Sequence, residues 1–256
     1  AGLPVPHMVS YCEDRNIIGT PFYVMDKVDG RILPDYALPE VPVAERKRYY
    51  DAMAQTLAQL HRVDWAGIGL SDYGRPGNYF ARQVARWSRQ WESSKTADNA
   101  DVERLIAWLP HHVPDSEETG IAHGDFRFGN LMFHPTEPKV VAILDWELST
   151  LGHPLADVAY SAMAWHMQPA EFYGINGLDH AALGLPSQQD YFAAYHAAGG
   201  CAQPVEPFHL AFSLFRFAVI LEGVAARAKA GNSSSANAAE VGAQAAAFAR
   251  QGCALI

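Results

Sequence analysis

Basic clusters, paired cysteines and long apolar runs are all scarce in this sequence. The chain of 256 residues has 19 Lys and Arg against 28 Asp and Glu, for a formal charge of −9, and its most basic short block is ERKR at 45–48. A protein that binds the phosphate backbone of nucleic acid needs a basic surface. The composition therefore argues against a nucleic-acid partner.

The cysteines and the apolar runs exclude two further classes of protein. Cys12, Cys201 and Cys253 are widely spaced and odd in number, so they form neither a disulfide framework nor a CxxC pair, and a reducing compartment is favoured. The most apolar stretch, at 208–221, is too short to cross a bilayer and predicts a buried core helix. Because the sequence also begins without a signal-like segment, we expect a cytoplasmic protein with no membrane partner. Its oligomeric state is not indicated.

What the sequence does contain is a little β structure in a mostly helical chain. Hydrophobic residues make up 49% and charged residues 18%, as is usual for a folded domain. A β-branched and aromatic run at 22–28 predicts a strand, and three short apolar segments between 119 and 146 predict a small β island. Apolar spacing predicts helices at 43–62, 78–93, 99–109, 154–167, 188–198, 205–229 and 235–250. The predicted fold class is α+β.

Polar residues of an unusual kind interrupt the β island. HGDFRFGN occupies 123–130 and ILDWE follows at 143–147. Asp125 precedes Asn130 by the Asp-x4-Asn spacing of a kinase catalytic loop, in which Asp accepts a hydroxyl proton and Asn reaches a metal. Asp145 ends an apolar strand and would face the same cleft. Carboxylate and amide oxygens suit Mg2+ better than zinc. The island therefore predicts a site for phosphoryl transfer.

These motifs carry a resemblance to a known family. HGDFRFGN, LDWE and GHPLADVAY resemble the aminoglycoside phosphotransferase and choline kinase group, which has a protein-kinase-like fold. LAQLHRVD at 57–64 resembles a helix of the same group, and the match runs from about Pro4 to the end of the chain. The segments PFYVMDKVDGRIL and LDWELSTLGHPLADVAY are most similar in sequence to the phosphotransferase domains associated with acyl-CoA dehydrogenases.

The resemblance implies a small-molecule kinase that uses ATP or GTP with Mg2+. Asp125 would then be the catalytic base, and Asn130 and Asp145 would bind the metal. Supporting residues would be His123 and Asp157, which would brace the loop, and Arg127, which would orient phosphate or Asp125. Adenine would contact the linker backbone at Met25, Asp26, Lys27 and Val28.

The resemblance also implies two lobes. Residues 1–28 would be a remnant of the N-terminal lobe with its linker strand, and 29–256 would form a helical C-terminal lobe with the catalytic loop (123–130) and the metal loop (145–147). The group's phosphate-binding Lys, its Glu partner and a phosphate-covering loop belong upstream of the linker, and Lys27 lies within the linker. We therefore expect residues 1–256 alone to transfer phosphate poorly.

The acceptor and two alternative functions remain open. The acceptor would be a small-molecule hydroxyl, either on a hydroxyacyl compound or on an aminoglycoside-like substrate. A cationic acceptor would suit the acidic residues Glu171, Asp179, Asp190, Glu206 and Glu222. One alternative is a catalytically silent nucleotide-binding module. The other is a metallohydrolase with a mixed cluster of His123, Asp125, His134, Asp145 and His153, although no HExxH motif supports it. For His61, we expect packing or hydrogen bonding at a helix end, with no catalytic role.

Overall fold

The computed structural model describes residues 2–231 and 238–256. The first element is an exposed antiparallel hairpin, in which β1 (Met8–Cys12) pairs with β2 (Phe22–Met25) and the short helix α1 (Arg15–Ile18) connects them. Asp14 accepts a hydrogen bond from a backbone N–H at the start of α1, and Gly19 ends it in the left-handed region with φ 88°. The strand predicted at 22–28 is therefore present but ends at Met25.

Two small sheets form the β island. Strand β3 (Arg31–Ile32) is on one side of β5 (Leu131–Phe133) and β6 (Val140–Ile143) is on the other, all antiparallel. The second sheet pairs β4 (Gly120–Ala122) with β7 (Thr150–Gly152). The two polar motifs of the sequence are the connections from β4 to β5 and from β6 to β7.

Helices make up the rest of the described chain. The larger ones are α2 (Arg46–His61), α3 (Tyr79–Ser94), α4 (Ala100–Trp108), α5 (Pro154–Ser161), α7 (Gln188–Ala197), α8 (Pro207–Lys229) and α10 (Ala245–Cys253), and two shorter ones are α6 (His180–Leu183) and α9 (Ala238–Ala243). Each predicted helix is found, although α5 stops at Ser161 and the last one is divided into α9 and α10. The beginning of that last prediction, at 235–237, lies outside the described residues.

Helix α8 is the core helix of the C-terminal half. Its 23 residues are long and apolar enough to cross a bilayer by length and composition, but 83% of its most apolar window is buried inside the protein. The expectation of a stretch too short to span is therefore wrong, because the helix extends beyond 208–221. The predicted burial in the core is confirmed. Pro207, at the first turn, has no N–H to leave unpaired there.

The core consists of two clusters that meet at α5. Tyr50, Leu57 and Phe128 belong to the cluster between the larger sheet and helices α2 and α7. Trp91 and Phe212 belong to the cluster around α8. Helix α5 contributes apolar side chains to both clusters and is buried along its whole length. A polar side chain on this helix must therefore find its partners inside the protein.

Candidate active site

The segment 123–130 is a loop whose alternate residues are anchored in the core. The side chains of Phe126 and Phe128 are 0% exposed, whereas Asp125 and Arg127 are only partly buried. Gly124 has φ +84°, and a Cβ there would lie 2.6 Å from the carbonyl oxygen of Leu148. The glycine is thus required by the turn and by the close approach of the neighbouring chain. This anchoring presents Asp125 outward at a fixed place.

Asp125 lies at the centre of a hydrogen-bonded group. Asn130 Nδ2 donates to its Oδ2 at 2.6 Å and to its backbone oxygen at 2.9 Å. Arg127 Nε lies 3.3 Å from Oδ1, and the Tyr160 hydroxyl donates to the same oxygen. Since the Asn130 nitrogen is committed to Asp125, its side-chain oxygen remains available to a cation. Both predicted partners of the Asp-x4-Asn motif are thus in direct contact.

Burial and charge set the protonation states around this carboxylate. Burial, and then the charge of Asp125, raise the pKa of Tyr160 well above its usual value, so its hydroxyl stays a neutral donor. For Arg127, burial lowers the pKa, but the neighbouring Asp125 more than offsets this and the pKa is raised overall. Arg127 therefore stays charged beside Asp125.

Asp157 holds the start of the loop from below. Its side chain accepts the backbone N–H of His123 at 2.6 Å and that of Gly124 at 2.9 Å. His61 Nε2 lies 3.4 Å from the same carboxylate, and its other ring nitrogen lies 2.8 Å from the Tyr195 hydroxyl. Burial alone would raise the pKa of Asp157, but His61, His123 and the Gly124 N–H lower it overall. Asp157 is thus a buried carboxylate stabilised in its charged form.

His123 connects the two predicted loops. Its Nδ1 accepts the Asp125 N–H at 3.2 Å, so Nε2 carries the proton and donates to the carbonyl of Leu144 at 2.9 Å. The Leu144 N–H donates in turn to the Asn130 carbonyl at 2.9 Å. The ring centroid of Trp146 lies 4.9 Å from that of His123. These contacts fix the register between the catalytic loop and the metal loop.

Asp145 follows β6 in an uncommon backbone conformation. Its φ is +63°, in the left-handed region, and its side chain is exposed. The residue lines a cleft of about 780 Å3, whose apolar walls include Tyr23 and Met25 from the hairpin and Ile143 and Trp146 from the other side. Left-handed backbone at a non-glycine residue stores strain and is often found at functional sites.

The linker residues divide into two groups in the structure. Met25 lines the cleft beside Asp145. The Asp26 N–H donates to the His7 carbonyl at 2.9 Å, and its carboxylate lies 3.2 Å from His7 Nδ1. Lys27 pairs with Asp29 at 3.3 Å on the exposed surface, and Val28 lies outside regular secondary structure. Adenine contact by these four residues stays a prediction, with Met25 the best placed of them.

The residues that could bind a cation offer only oxygen atoms as ligands. Asp145 offers an exposed carboxylate and Asn130 an uncommitted amide oxygen, which fits the usual habit of Mg2+ to take few protein ligands and complete its shell with phosphates and water. Within residues 2–231 and 238–256, no group of three or more His, Cys, Asp or Glu side chains is arranged to hold a metal ion.

The cluster proposed for a metallohydrolase is not formed. His134 Nδ1 accepts the Thr136 N–H at 3.4 Å, and His153 caps α5 through Leu155 while its Nε2 contacts Ser116 at 2.8 Å. His123 is committed to the contacts between the two loops. The three rings therefore have separate structural roles and do not converge on a shared position.

The acidic residues suggested for a cationic acceptor are also committed elsewhere, which corrects that expectation. Asp179, Asp190 and Glu206 are at helix N-termini, Glu171 pairs with Arg250 at 3.1 Å, and Glu222 accepts the Thr96 N–H at 2.5 Å. Beside Arg127 the structure has a small apolar recess, lined by Tyr36, Tyr160, Met163, Met167, Phe172 and Phe248.

Three residues in or near the site were not among the predicted site residues, and of these only His61 was given a role, at a helix end. Tyr160 donates to Asp125, His61 contacts Asp157, and Arg216 Nη2 donates to the Gly124 carbonyl at 2.7 Å. Their partners lie 35 to 96 residues away, so no local spacing indicates them. The Leu-His pair of LAQLHRVD and the tyrosine of LADVAY are the signals that could have found His61 and Tyr160.

Comparison with known sequences identifies the family of this chain. The sequence model of the phosphotransferase enzyme family (APH) matches residues 1–191. Acyl-CoA dehydrogenase family member 10 of Mus musculus is 44% identical over 247 residues, which cover 94% of this chain and 23% of that protein. Family member 11 of Homo sapiens is 40% identical over 238 residues, covering 91% and 30%. The chain thus spans roughly a quarter to a third of the length of these relatives.

Solved structures of phosphotransferases have the same fold as this chain. A Ralstonia eutropha protein assigned to the aminoglycoside phosphotransferases has a TM-score of 0.93 and 47% identity, covering 99% of this chain and 78% of that one. Aminoglycoside phosphotransferase APH(4)-Ia, in a ternary complex with AMP-PNP and hygromycin B, has a TM-score of 0.63 at 17% identity, covering 98% and 78%. The latter likeness concerns the fold alone.

These findings confirm the predicted α+β, protein-kinase-like fold and the resemblance on which it rested. The chain belongs to the phosphotransferase enzyme family that includes the aminoglycoside phosphotransferases.

Proposed function

We propose that this protein is a kinase that transfers the γ-phosphoryl group of ATP or GTP to a hydroxyl group of a small molecule. The observation that carries the proposal is the contact of Asp125 with Asn130, at 2.6 Å, next to a loop that presents Asp145 to a cleft of about 780 Å3. This is the arrangement that phosphoryl transfer needs, with a base for the acceptor and oxygen ligands for a cation.

Each residue would have a distinct task. Asp125 would accept the proton of the acceptor hydroxyl, while Arg127, Tyr160 and Asn130 hold its carboxylate in place. Asn130 and Asp145 would bind Mg2+, which neutralises charge on the nucleotide phosphates. Asp157 and His123 would keep the two loops in register.

The nucleotide and the acceptor are the finer parts of the proposal. APH(4)-Ia was solved with AMP-PNP and hygromycin B, which supports an ATP-type co-substrate and a small-molecule acceptor in a related fold. The similar proteins named as acyl-CoA dehydrogenase family members favour a hydroxyacyl compound over an aminoglycoside. We further propose a cytoplasmic location.

Calorimetric titration of Mg-ATP and Mg-GTP tests the nucleotide site first. Asp145→Asn is the variant to use, because asparagine tolerates the left-handed backbone of this position whereas alanine would add strain. Loss of the carboxylate should weaken Mg-nucleotide binding by about tenfold or more, equal to roughly 1.4 kcal/mol. Asp72→Asn makes the same chemical change at an exposed position and should have no effect.

A transfer assay then separates the kinase from the silent module. ADP formation is measured with a hydroxy acid, with hygromycin B and with water as acceptors, in the wild type and in Asp125→Asn. The kinase predicts transfer that the variant loses while it still binds Mg-ATP, because Asp125 acts on the acceptor. Nucleotide binding without transfer to any acceptor, even in a chain extended upstream to include the phosphate-binding Lys, would favour the catalytically silent module. Equal Mg-ATP affinity in the wild type and Asp145→Asn would refute the metal role of Asp145.

A further inference from the structure

A second cleft, of about 270 Å3, lies between helix α3 and the segment that follows the metal loop. We refer to it as the α3 cleft. Its walls include Gln83, Arg86 and Trp87 from α3, Arg216 from α8, and Glu147 and Thr150 from the segment after Asp145. Unlike the apolar cleft beside Asp145, its polar side chains include two guanidinium groups, those of Arg86 and Arg216.

Arg216 is a buried cation without a full set of partners. The residue is 5% exposed, and its Nε has no hydrogen-bond partner within the described part of the chain. One hydrogen bond, from Nη2 to the Gly124 carbonyl at 2.7 Å, satisfies one of its five N–H groups. Its guanidinium also lies 5.5 Å from the ring centroids of both Trp87 and Tyr160. A buried guanidinium with so little compensation is costly unless an anion joins it.

Other donors converge on the same space. The Arg86 guanidinium lies 5.2 Å from the ring centroid of Trp87, the indole that Arg216 also contacts, and Arg86 is exposed to solvent. Gln83 Oε1 accepts the Trp87 Nε1–H at 3.1 Å, so its amide nitrogen remains available as a donor. Two guanidinium groups and an amide match the oxygens of a carboxylate or a phosphate group.

The α3 cleft is placed next to the catalytic loop. Arg216 contacts Gly124, the residue before Asp125, and its guanidinium packs on the Tyr160 ring whose hydroxyl donates to Asp125. Glu147 lines both this cleft and the larger cleft beside Asp145. The Glu147 carboxylate is one negative charge against the two guanidinium groups of the α3 cleft, so the cleft keeps a net positive charge.

From this geometry we propose that the α3 cleft binds an anionic group of the acceptor, a carboxylate or a phosphate, through Arg86 and Arg216. The inference rests on the proposed kinase function and specifies its substrate class: an acceptor that carries its hydroxyl and a negative charge on the same molecule. A polycationic acceptor would meet two guanidinium groups here and is disfavoured.

Binding of inorganic phosphate, followed by the 31P NMR line width, tests the cleft without knowledge of the acceptor. Arg86→Gln should weaken phosphate binding by about tenfold, because one of two charge-assisted partners is lost. Arg89→Gln is the matched control, since Arg89 is an exposed residue of the same helix and lies outside the α3 cleft. Arg216→Lys retains the charge and removes the planar fork. The thermal unfolding midpoint of Arg216→Lys is measured in parallel. If this variant does not fold, the comparison of phosphate affinity between Arg86→Gln and Arg89→Gln tests the proposal.

Addition of acetate and of Mg-ATP identifies the source of the anion. The proposal predicts that acetate competes with phosphate and that saturating Mg-ATP does not. Displacement of phosphate by Mg-ATP would assign the cleft to the nucleotide and overturn the proposal. Equal phosphate binding in Arg86→Gln and Arg89→Gln, or no binding at about 20 mM phosphate, would overturn it as well. Arg86-dependent phosphate binding in a protein that does not bind Mg-ATP would retain the anion site and refute the kinase function.

Discussion

Replacement of Asp157 by asparagine tests how strongly the catalytic loop depends on one buried carboxylate. Asp157 is 1% exposed and accepts the N–H groups of both His123 and Gly124. An asparagine of the same shape can accept one of these N–H groups, but its NH2 would face the other. A buried donor without a partner costs about 1–3 kcal/mol. The loss of a charge-assisted bond adds to this, so we expect a destabilisation of about 3 kcal/mol at pH 7.

Urea unfolding at a series of pH values measures this effect. Since the pKa of Asp157 is lowered in the folded protein, its contribution is fully present above the unfolded pKa of about 4 and is lost as the pH falls through the folded value. The difference between wild type and Asp157→Asn should therefore shrink below about pH 4. In a separate thermal unfolding experiment at pH 7, a loss of about 3 kcal/mol should lower the midpoint temperature by roughly 6–12 °C for a chain of this size.

The same substitution at an exposed aspartate shows whether burial causes the loss of stability in Asp157→Asn. Asp64 also accepts a backbone N–H, that of Gly67 at 2.9 Å, but it is exposed. Asparagine serves well in such a turn, so Asp64→Asn should change stability by less than about 0.5 kcal/mol. If Asp157→Asn were as stable as Asp64→Asn at pH 7, the assignment of Asp157 as the support of the loop would be refuted.

Two further predictions concern the catalytic loop and the pH dependence of stability. Tyr160→Phe removes a donor that holds the Asp125 carboxylate, so kcat for phosphoryl transfer should fall by about tenfold while the affinity for Mg-ATP stays the same; an unchanged kcat would show that the hydroxyl is only structural. Burial lowers the pKa of His153 and of His209 to about 4, whereas the unfolded value is about 6.5. The unfolded chain therefore binds more protons between these values, and the free energy of unfolding should decrease as the pH falls from about 6.5 towards 4. The pKa of His166 is lowered by burial as well, so in His209→Asn the slope of that decrease should be less steep by about a third; an identical slope would contradict the contribution of His209.

The sequence predicted best where neighbours in the chain are also neighbours in space. The Asp-x4-Asn spacing placed Asp125 and Asn130 together, and the structure brings them to 2.6 Å. The strands around the loop were evident from short apolar segments. Strand β7 was missed because its three residues, Thr150–Gly152, show no alternation, and helix α6 was missed because it has only four residues.

Contacts between distant residues could not be predicted from the sequence. Arg216 contacts Gly124 across 92 residues, and His61 contacts Asp157 across 96. Such pairs depend on how whole helices pack, which no local pattern specifies. For the acidic residues between 171 and 222, the local composition suggested a cation site, but the structure gives these residues other partners. Asp190 and Glu206 match the composition expected of a cation site, but both are at helix N-termini, a position that acidic residues occupy for their own helix.

The two buried phenylalanines of the catalytic loop have a consequence for its dynamics. Phe126 and Phe128 are fully buried on either side of Arg127, so the segment cannot move outward without opening the core beneath it. Amide hydrogens there should exchange with solvent as slowly as those of core strands, whereas those of the exposed β1–β2 hairpin exchange by local fraying. The loop and the helical half therefore unfold as one cooperative unit, and a ligand bound at Asp125 stabilises that whole unit.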